Sequence, residues 1–249
     1  MDLQLDGTTA LVSGGNRGIG LAVARTLAGE GVRVALLGRD VEALAVAASL
    51  VGPATVTVVS DTTSDEQVRA AVEEAATALG RLDAVVNCAA PRATTAQVPG
   101  LAGLDDDDFL LQLDTKALGY LRVVRAALPH LLADGGGRVV NVSGMNARST
   151  GSIAGSVRNI AVVALTKNLA DELGPQGVTV SCVHPGLTVT ERNADDPAYA
   201  EKASANAIQR PVTAEEVARL VTFLASPVAV LTNGAVVTAD GGRPGTIWA

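Results

Sequence analysis

The sequence predicts a single α/β domain built on a doubly wound parallel sheet, and three observations carry that prediction. Short β-branched apolar runs alternate with Ala- and Leu-rich helical stretches along all 249 residues. The core side chains available are small, and such side chains suit helices packed closely onto a parallel sheet. A glycine-rich turn follows the first strand and opens the first helix, the context in which a phosphate-binding turn works.

The first strand, residues 8–13, runs TTALVS into the turn Ser13-Gly14-Gly15-Asn16-Arg17-Gly18-Ile19-Gly20, and a helix over 18–28 starts inside that turn. Strand 33–37 precedes helix 41–48, and strand 55–59 precedes helix 65–79. Strand 84–87 leads to a long helical stretch at 107–132, and strand 138–142 leads to a helix at 156–173. Strands 179–183 and 235–238, with helix 214–224 between them, complete a sheet of about seven strands. Right-handed crossovers then place helices on both faces. No repeat and no linker interrupts the pattern, so residues 1–249 are expected to form one domain. The least regular stretch, 191–210, follows the sixth strand, where a flap over the ligand is expected.

Hydrophobic residues make up 48% and charged residues 18%, a globular balance. Aromatics are only 2%, so the core must be built from Ala, Val and Leu. The net charge is −7 and no Lys/Arg cluster forms a basic stripe, which argues against nucleic-acid and anionic-membrane partners. Cys88 and Cys182 are too few for a disulfide framework or a metal site, and no metal is expected. Neither a basic leader segment nor a membrane-length apolar run is evident, so a soluble, cytoplasmic protein with a small-molecule ligand is expected.

In the first turn, Gly14 can take a tight bend, and Gly18 lets backbone N–H groups approach a diphosphate with no Cβ between. The helix N-terminus adds its free N–H groups and the positive end of its dipole. The spacing Gly-x-x-x-Gly-x-Gly resembles that of the short-chain dehydrogenase/reductase family, with Ser13 where a Thr is more usual. The likeness runs through nearly the whole chain. Asn87-Cys88-Ala89-Ala90 is similar to the family's Asn-Asn-Ala-Gly stretch, and Pro185-Gly186-Leu187-Thr188-Val189-Thr190 to its nicotinamide-closing segment. Arg210-Pro211, Glu215-Glu216-Val217 and Asp240-Gly241-Gly242 follow its C-terminal pattern.

The resemblance implies a Rossmann-like fold that binds a nicotinamide dinucleotide. It places Gly14, Asn16, Arg17, Gly18, Ile19 and Gly20 around the phosphates, with Asp61 at the adenine and Thr62 beside it. Asn87 and Ala89 lie at the adenosine ribose, and Pro185, Gly186, Thr188 and Thr190 at the nicotinamide. An acid at the end of the second strand would bind the ribose 2′-OH; here that position is Gly38, followed by Arg39. Arg17 projects toward the same corner, and two guanidinium groups favour NADP(H) over NAD(H), a preference that Asp40 could blunt.

The catalytic group that the resemblance implies is an Asn, a Ser, and a Tyr and Lys four residues apart on one helical face. Aligned through flanking segments, these four positions hold Lys116, Gly144, Gly155 and Asn159, with Ser143 one residue before the usual Ser. Asn and Lys are exchanged between two helices. Lys116 is therefore expected to reach the nicotinamide ribose and to contact Asn159, and Lys116, Asn159 and Ser143 are the catalytic candidates. Gly144 and Gly155 are expected to leave room for a larger ligand. Cys88 and His184 stand at strand ends where such sheets bind ligands; they read as a buried thiol and a hydrogen-bonded histidine, with a Cys–His nucleophile as the alternative.

The leading functional expectation is an NADP(H)-dependent oxidoreductase acting on a carbonyl or alcohol by an atypical mechanism. A catalytically inactive NADP(H)-binding sensor and a non-redox enzyme on the same scaffold are the alternatives. In the family the helices at 107–132 and 156–173 pair between subunits, so a homodimer or homotetramer is expected. The tail at 244–249, with Trp248 near its end, is a further candidate for an interface.

Overall fold

The computed structural model describes residues 1–91 and 100–243; the tail at 244–249 lies outside the described residues. In chain order the first half comprises β1 (Thr9–Ser13), α1 (Gly18–Gly29), β2 (Arg33–Gly38), α2 (Val41–Val51), β3 (Val56–Val59), α3 (Asp65–Leu79) and β4 (Ala84–Asn87). There follow α4 (Asp106–Leu113), α5 (Gly119–Ala133), β5 (Arg138–Val142), α6 (Ile153–Leu173) and β6 (Thr179–Pro185). The short β7 (Thr188–Val189), α7 (Pro197–Ala203), β8 (Val212–Thr213), α8 (Ala214–Leu224) and β9 (Val236–Ala239) complete the chain.

Seven strands form one sheet in the order β3-β2-β1-β4-β5-β6-β9, every pairing parallel. β7 and β8 make a separate two-stranded ribbon. The alternation of side chains along each strand supplies both faces. Ala10, Val12, Val34, Leu36, Val86 and Val140 join α1 and α8 in one apolar layer. The intervening Leu11, Ala35, Leu37, Val85 and Val139 join α3 and α5 in the other. Along the central strands β1, β4, β5 and β6 neither face meets water, while the edge strands β3 and β9 are partly exposed.

Four polar side chains cross this core as a continuous ladder. Ser13 Oγ donates to Asn87 Oδ1 at 3.1 Å, Asn87 Nδ2 to Asn141 Oδ1 at 2.9 Å, and Asn141 Nδ2 to Thr166 Oγ1 at 3.0 Å. The Thr166 hydroxyl in turn donates to the Val162 carbonyl. Each member satisfies the next, so the burial of four polar groups carries no unpaired donor or acceptor at these links.

Three helices differ from the sequence expectation; α2, expected to end at 48, runs on to Val51 and stops at Gly52. The stretch expected as one helix at 107–132 is α4 and α5 joined by a π-helical turn, Asp114–Leu118. Thr62 explains the turn: its hydroxyl donates to the Thr115 carbonyl at 3.1 Å, and Arg122 ties the Thr62 carbonyl to the Asp114 carboxylate at 2.9 and 2.7 Å. α6 begins three residues earlier than expected because Ser152 is its cap, accepting from the Gly155 N–H at 3.0 Å. Within the stretch 191–210, residues 197–203 are helical, and Ala207 and Ile208 donate their N–H groups to the Gly242 and Gly241 carbonyls.

Candidate active site

A cleft of about 430 Å³ opens at the C-terminal ends of the strands, lined from both sides of the point where the strand order reverses between β1 and β4. Gly14 sits at φ +68°, and a Cβ there would lie 2.7 Å from the Ala89 nitrogen. A Cβ at Gly20 would run into the Gly14 carbonyl. Only glycines let the turn, α1 and the loop after β4 close up this way. Arg17 precedes α1 but offers its helix no side-chain cap. The Gly18 N–H instead donates to both carboxylate oxygens of Glu191, at 2.9 and 3.2 Å.

At the next corner β2 ends in Gly38, and no carboxylate occupies that position. Arg39 is 58% exposed and reaches Asp61 at 3.4 Å. Asp40 accepts from the Ala43 N–H at 3.0 Å as the cap of α2, so one oxygen of its carboxylate is committed to the helix. Partial burial works against the charge of Asp61, but hydrogen bonds from Thr63 and the nearby Arg39 outweigh it and hold the carboxyl below its ordinary range.

At the opposite end of the cleft the π turn delivers Lys116, which is 4% exposed. Its ammonium donates to the Ser143 carbonyl at 2.9 Å. Burial, reinforced by the positive charge of Arg158, pulls its pKa down to about 7. The Ser143 hydroxyl donates to the Asn159 carbonyl at 2.9 Å, so Ser143 links Lys116 to α6. The expected contact between Lys116 and the Asn159 side chain is not a hydrogen bond. Asn159 Oδ1 is buried and has no partner among the described residues.

A family model described as enoyl-(acyl carrier protein) reductase matches residues 14–243. The chain is a short-chain dehydrogenase/reductase. It is 34% identical to the short-chain reductase protein NovJ of Streptomyces niveus, over 95% of this chain and 94% of that one. It is also 34% identical to a 3-alpha-(or 20-beta)-hydroxysteroid dehydrogenase of Mycobacterium tuberculosis strain H37Rv, over 97% and 91% of the two chains. Among solved structures, L-sorbose reductase from Gluconobacter frateurii, complexed with NADPH and L-sorbose, superposes with a TM-score of 0.89 at 26% identity, covering 99% of this chain and all of that one. The family's named relatives are oxidoreductases, and that class extends to this chain.

For this short-chain dehydrogenase/reductase, the cleft gathers Gly14, Asn16, Arg17, Gly18, Ile19, Gly20, Arg39, Thr62, Ala89, Lys116, Ser143, Pro185 and Thr190 from the sequence-derived set. Asp61, Asn87, Gly186, Thr188 and Asn159 stand outside its lining. Asn87 is there for the sheet: both ends of its amide belong to the buried ladder.

The expectation that Gly144 and Gly155 leave room for a larger ligand is corrected. A Cβ at 144 would lie 2.9 Å from Asn159 Nδ2, and one at 155 would lie 2.9 Å from both Asn146 Nδ2 and Ser152 Oγ. Neighbouring polar side chains have moved into the space. The Cys–His alternative also fails. Burial pushes the Cys88 thiol up to about 12 and, with the charges of Arg148 and Lys116, pushes His184 down to about 4. Neither ring nitrogen of His184 has a hydrogen-bond partner among the described residues, so it is not the hydrogen-bonded histidine expected either.

Sequence reasoning missed three groups in this region. Ser60, buried with an unpartnered hydroxyl, and Arg192 both line the cleft, and Glu191 reaches into its turn. Ser60 directly follows β3, and the run Glu191-Arg192 directly follows the nicotinamide segment; position was the available signal for all three.

Proposed function

We propose that the chain is an NADP(H)-dependent oxidoreductase that interconverts a carbonyl and an alcohol, with Lys116 in place of the family's tyrosine as the proton-handling group. The observation that carries this reading is the buried Lys116 ammonium, held on the Ser143 carbonyl in the cleft with its pKa near 7. A group that titrates there both gives and takes protons at neutral pH.

The residues present fit a dinucleotide. Gly14 and Gly20 keep the cradle free of any Cβ, and the α1 N-terminus already accepts an anionic group, the Glu191 carboxylate. Arg17 and Arg39 line the cleft, no acid stands at Gly38, and Asp40 caps α2, which together support the 2′-phosphate form. The NADPH complex of the L-sorbose reductase supports the same choice by likeness. When bound, the nicotinamide supplies or accepts the hydride. In reduction Lys116 donates its proton to the substrate oxygen, and in oxidation the neutral amine takes one up. The Ser143 carbonyl orients the ammonium, and the Ser143 hydroxyl fixes the strand end against α6.

A second reading, an inactive NADP(H)-binding sensor, is favoured by one observation. Asn159, Asn146 and Ser152 fill the space beside Gly144 and Gly155, so the family's two hydroxyls are absent and their space is taken. The deciding experiment titrates the protein with NADPH and NADH by nicotinamide fluorescence, then assays turnover on a carbonyl panel with wild type and Lys116→Met. Tighter NADPH binding is expected, with kcat about 100-fold lower or worse in the variant. Unchanged turnover in Lys116→Met removes Lys116 from the mechanism, and tight binding without turnover on any carbonyl favours the sensor.

The reading includes a homo-oligomer, for which α4 and α6 supply the support. Leu110, Leu111, Ile153, Val157 and Ile160 are apolar and exposed on these helices, which supports a homo-oligomer packed through them. Two free thiols suit a reducing, cytoplasmic setting. Among the described residues no helix is long and apolar enough to cross a membrane.

A further inference from the structure

We infer that Glu191 is a built-in competitor for the dinucleotide: its carboxylate holds the diphosphate position of the glycine-rich turn and must leave before the cofactor can bind. The inference rests on the dinucleotide reading of the cleft.

Both carboxylate oxygens of Glu191 accept the Gly18 N–H, at 2.9 and 3.2 Å, across 173 residues of sequence. Gly18 is the first residue of α1, and Arg17 before it caps nothing with its side chain. The helix N-terminus therefore receives its anion from the flap. A carboxylate is the nearest side-chain mimic of a phosphate, since it brings negative charge and oxygen acceptors to free N–H groups. One N–H directed at Glu191 is not available to a phosphate oxygen. The preceding residue lies beside the same turn: Thr190 Cγ2 is 3.7 Å from where a Gly18 Cβ would stand, ordinary contact distance.

The adjacent residue makes the displacement an exchange of charge. Arg192 lines the same cleft, so the flap carries a stand-in anion and a cation side by side. When the Glu191 carboxylate swings out, a diphosphate meets the freed N–H and keeps Arg192 nearby. On release the carboxylate recaptures the turn. Glu191 thus lowers cofactor affinity and speeds cofactor exchange.

The start of the flap does not depend on this contact. Asn193 Oδ1 accepts from the Thr190 N–H at 2.8 Å, and Asn193 Nδ2 donates to the Thr188 carbonyl at 3.4 Å. Glu191 itself is exposed, so variants at this position keep the fold.

The test titrates wild type, Glu191→Gln and Glu191→Ala with NADPH by nicotinamide fluorescence. Inorganic pyrophosphate serves as a competing probe of the turn alone, and stopped flow follows NADPH release. From the usual strength of charges at helix N-termini, Glu191→Ala is expected to bind both probes about 3- to 10-fold more tightly and to release NADPH more slowly. Glu191→Gln, which keeps an acceptor without the charge, is expected to gain less. Unchanged or weaker NADPH binding in Glu191→Ala, beside a wild type that binds, overturns the inference and leaves the cofactor reading intact. NADPH binding by none of the three proteins removes the cofactor reading and the inference with it.

Discussion

At the scale of single residues, the proposed chemistry turns on Lys116. Lys116 enters from the π turn and finds the Ser143 carbonyl. Its pKa near 7 sets the sign of the pH dependence. In the proposed mechanism carbonyl reduction needs the ammonium, so kcat for reduction is expected to fall as pH rises through about 7. Alcohol oxidation needs the neutral amine and rises through the same value. Initial rates from pH 5.5 to 9 in both directions check this, within a range of about two units around the inflection. An inflection that persists in Lys116→Met assigns it to another group. That Lys116 and Ser143 belong to the cleft was legible in the sequence, because flanking segments located both positions. What filled the vacated space was not. Nothing in the spacing of Asn146, Ser152 and Asn159 says that their polar groups stand where side chains at 144 and 155 would begin, since this depends on how α6 meets the loop after β5.

At the scale of elements, all seven strands of the main sheet were readable to within two residues, because each is a short β-branched apolar run, buried on both faces at the centre of the sheet. Helices with a polar outer face were equally clear, as α3 and α8 show, both matching their expected bounds. The π turn was invisible because its cause lies 53 residues away, in the Thr62 hydroxyl that holds the Thr115 carbonyl. The ribbon of β7 and β8 was missed for its length, two residues a strand, too short for any periodicity. Since the turn carries Lys116, its support can be tested. Thr62→Val keeps the shape and removes the donor, leaving a buried carbonyl without that partner. A loss of about 1–3 kcal/mol in urea unfolding is expected, together with a drop in kcat from the displaced lysine. Wild-type stability in this variant would falsify the assignment of Thr62 as the support of the turn.

At the scale of the whole molecule, the exposed stripe Ile153, Val157 and Ile160 on α6 follows the spacing of one helical face. Ile160 is 49% exposed, so a charge there is tolerable in a monomer and disruptive inside a subunit interface. Ile160→Glu is expected to shift the particle toward monomer in light scattering while circular dichroism stays unchanged; a wild type that is itself monomeric ends the proposal. The buried polar ladder has a consequence of a different kind. Its links join residues 74, 54 and 25 positions apart, each bond waiting on a later stretch of chain. During synthesis, β1 can pair with β2 early, but its other edge stays open until residues 84–87 emerge, and β4 in turn waits for β5. The growing chain therefore carries an unpaired apolar strand edge through much of its translation, the form most prone to wrong association. A fold this rich in distant pairings forms slowly, and the yield of this protein in a cell depends on what shelters that edge.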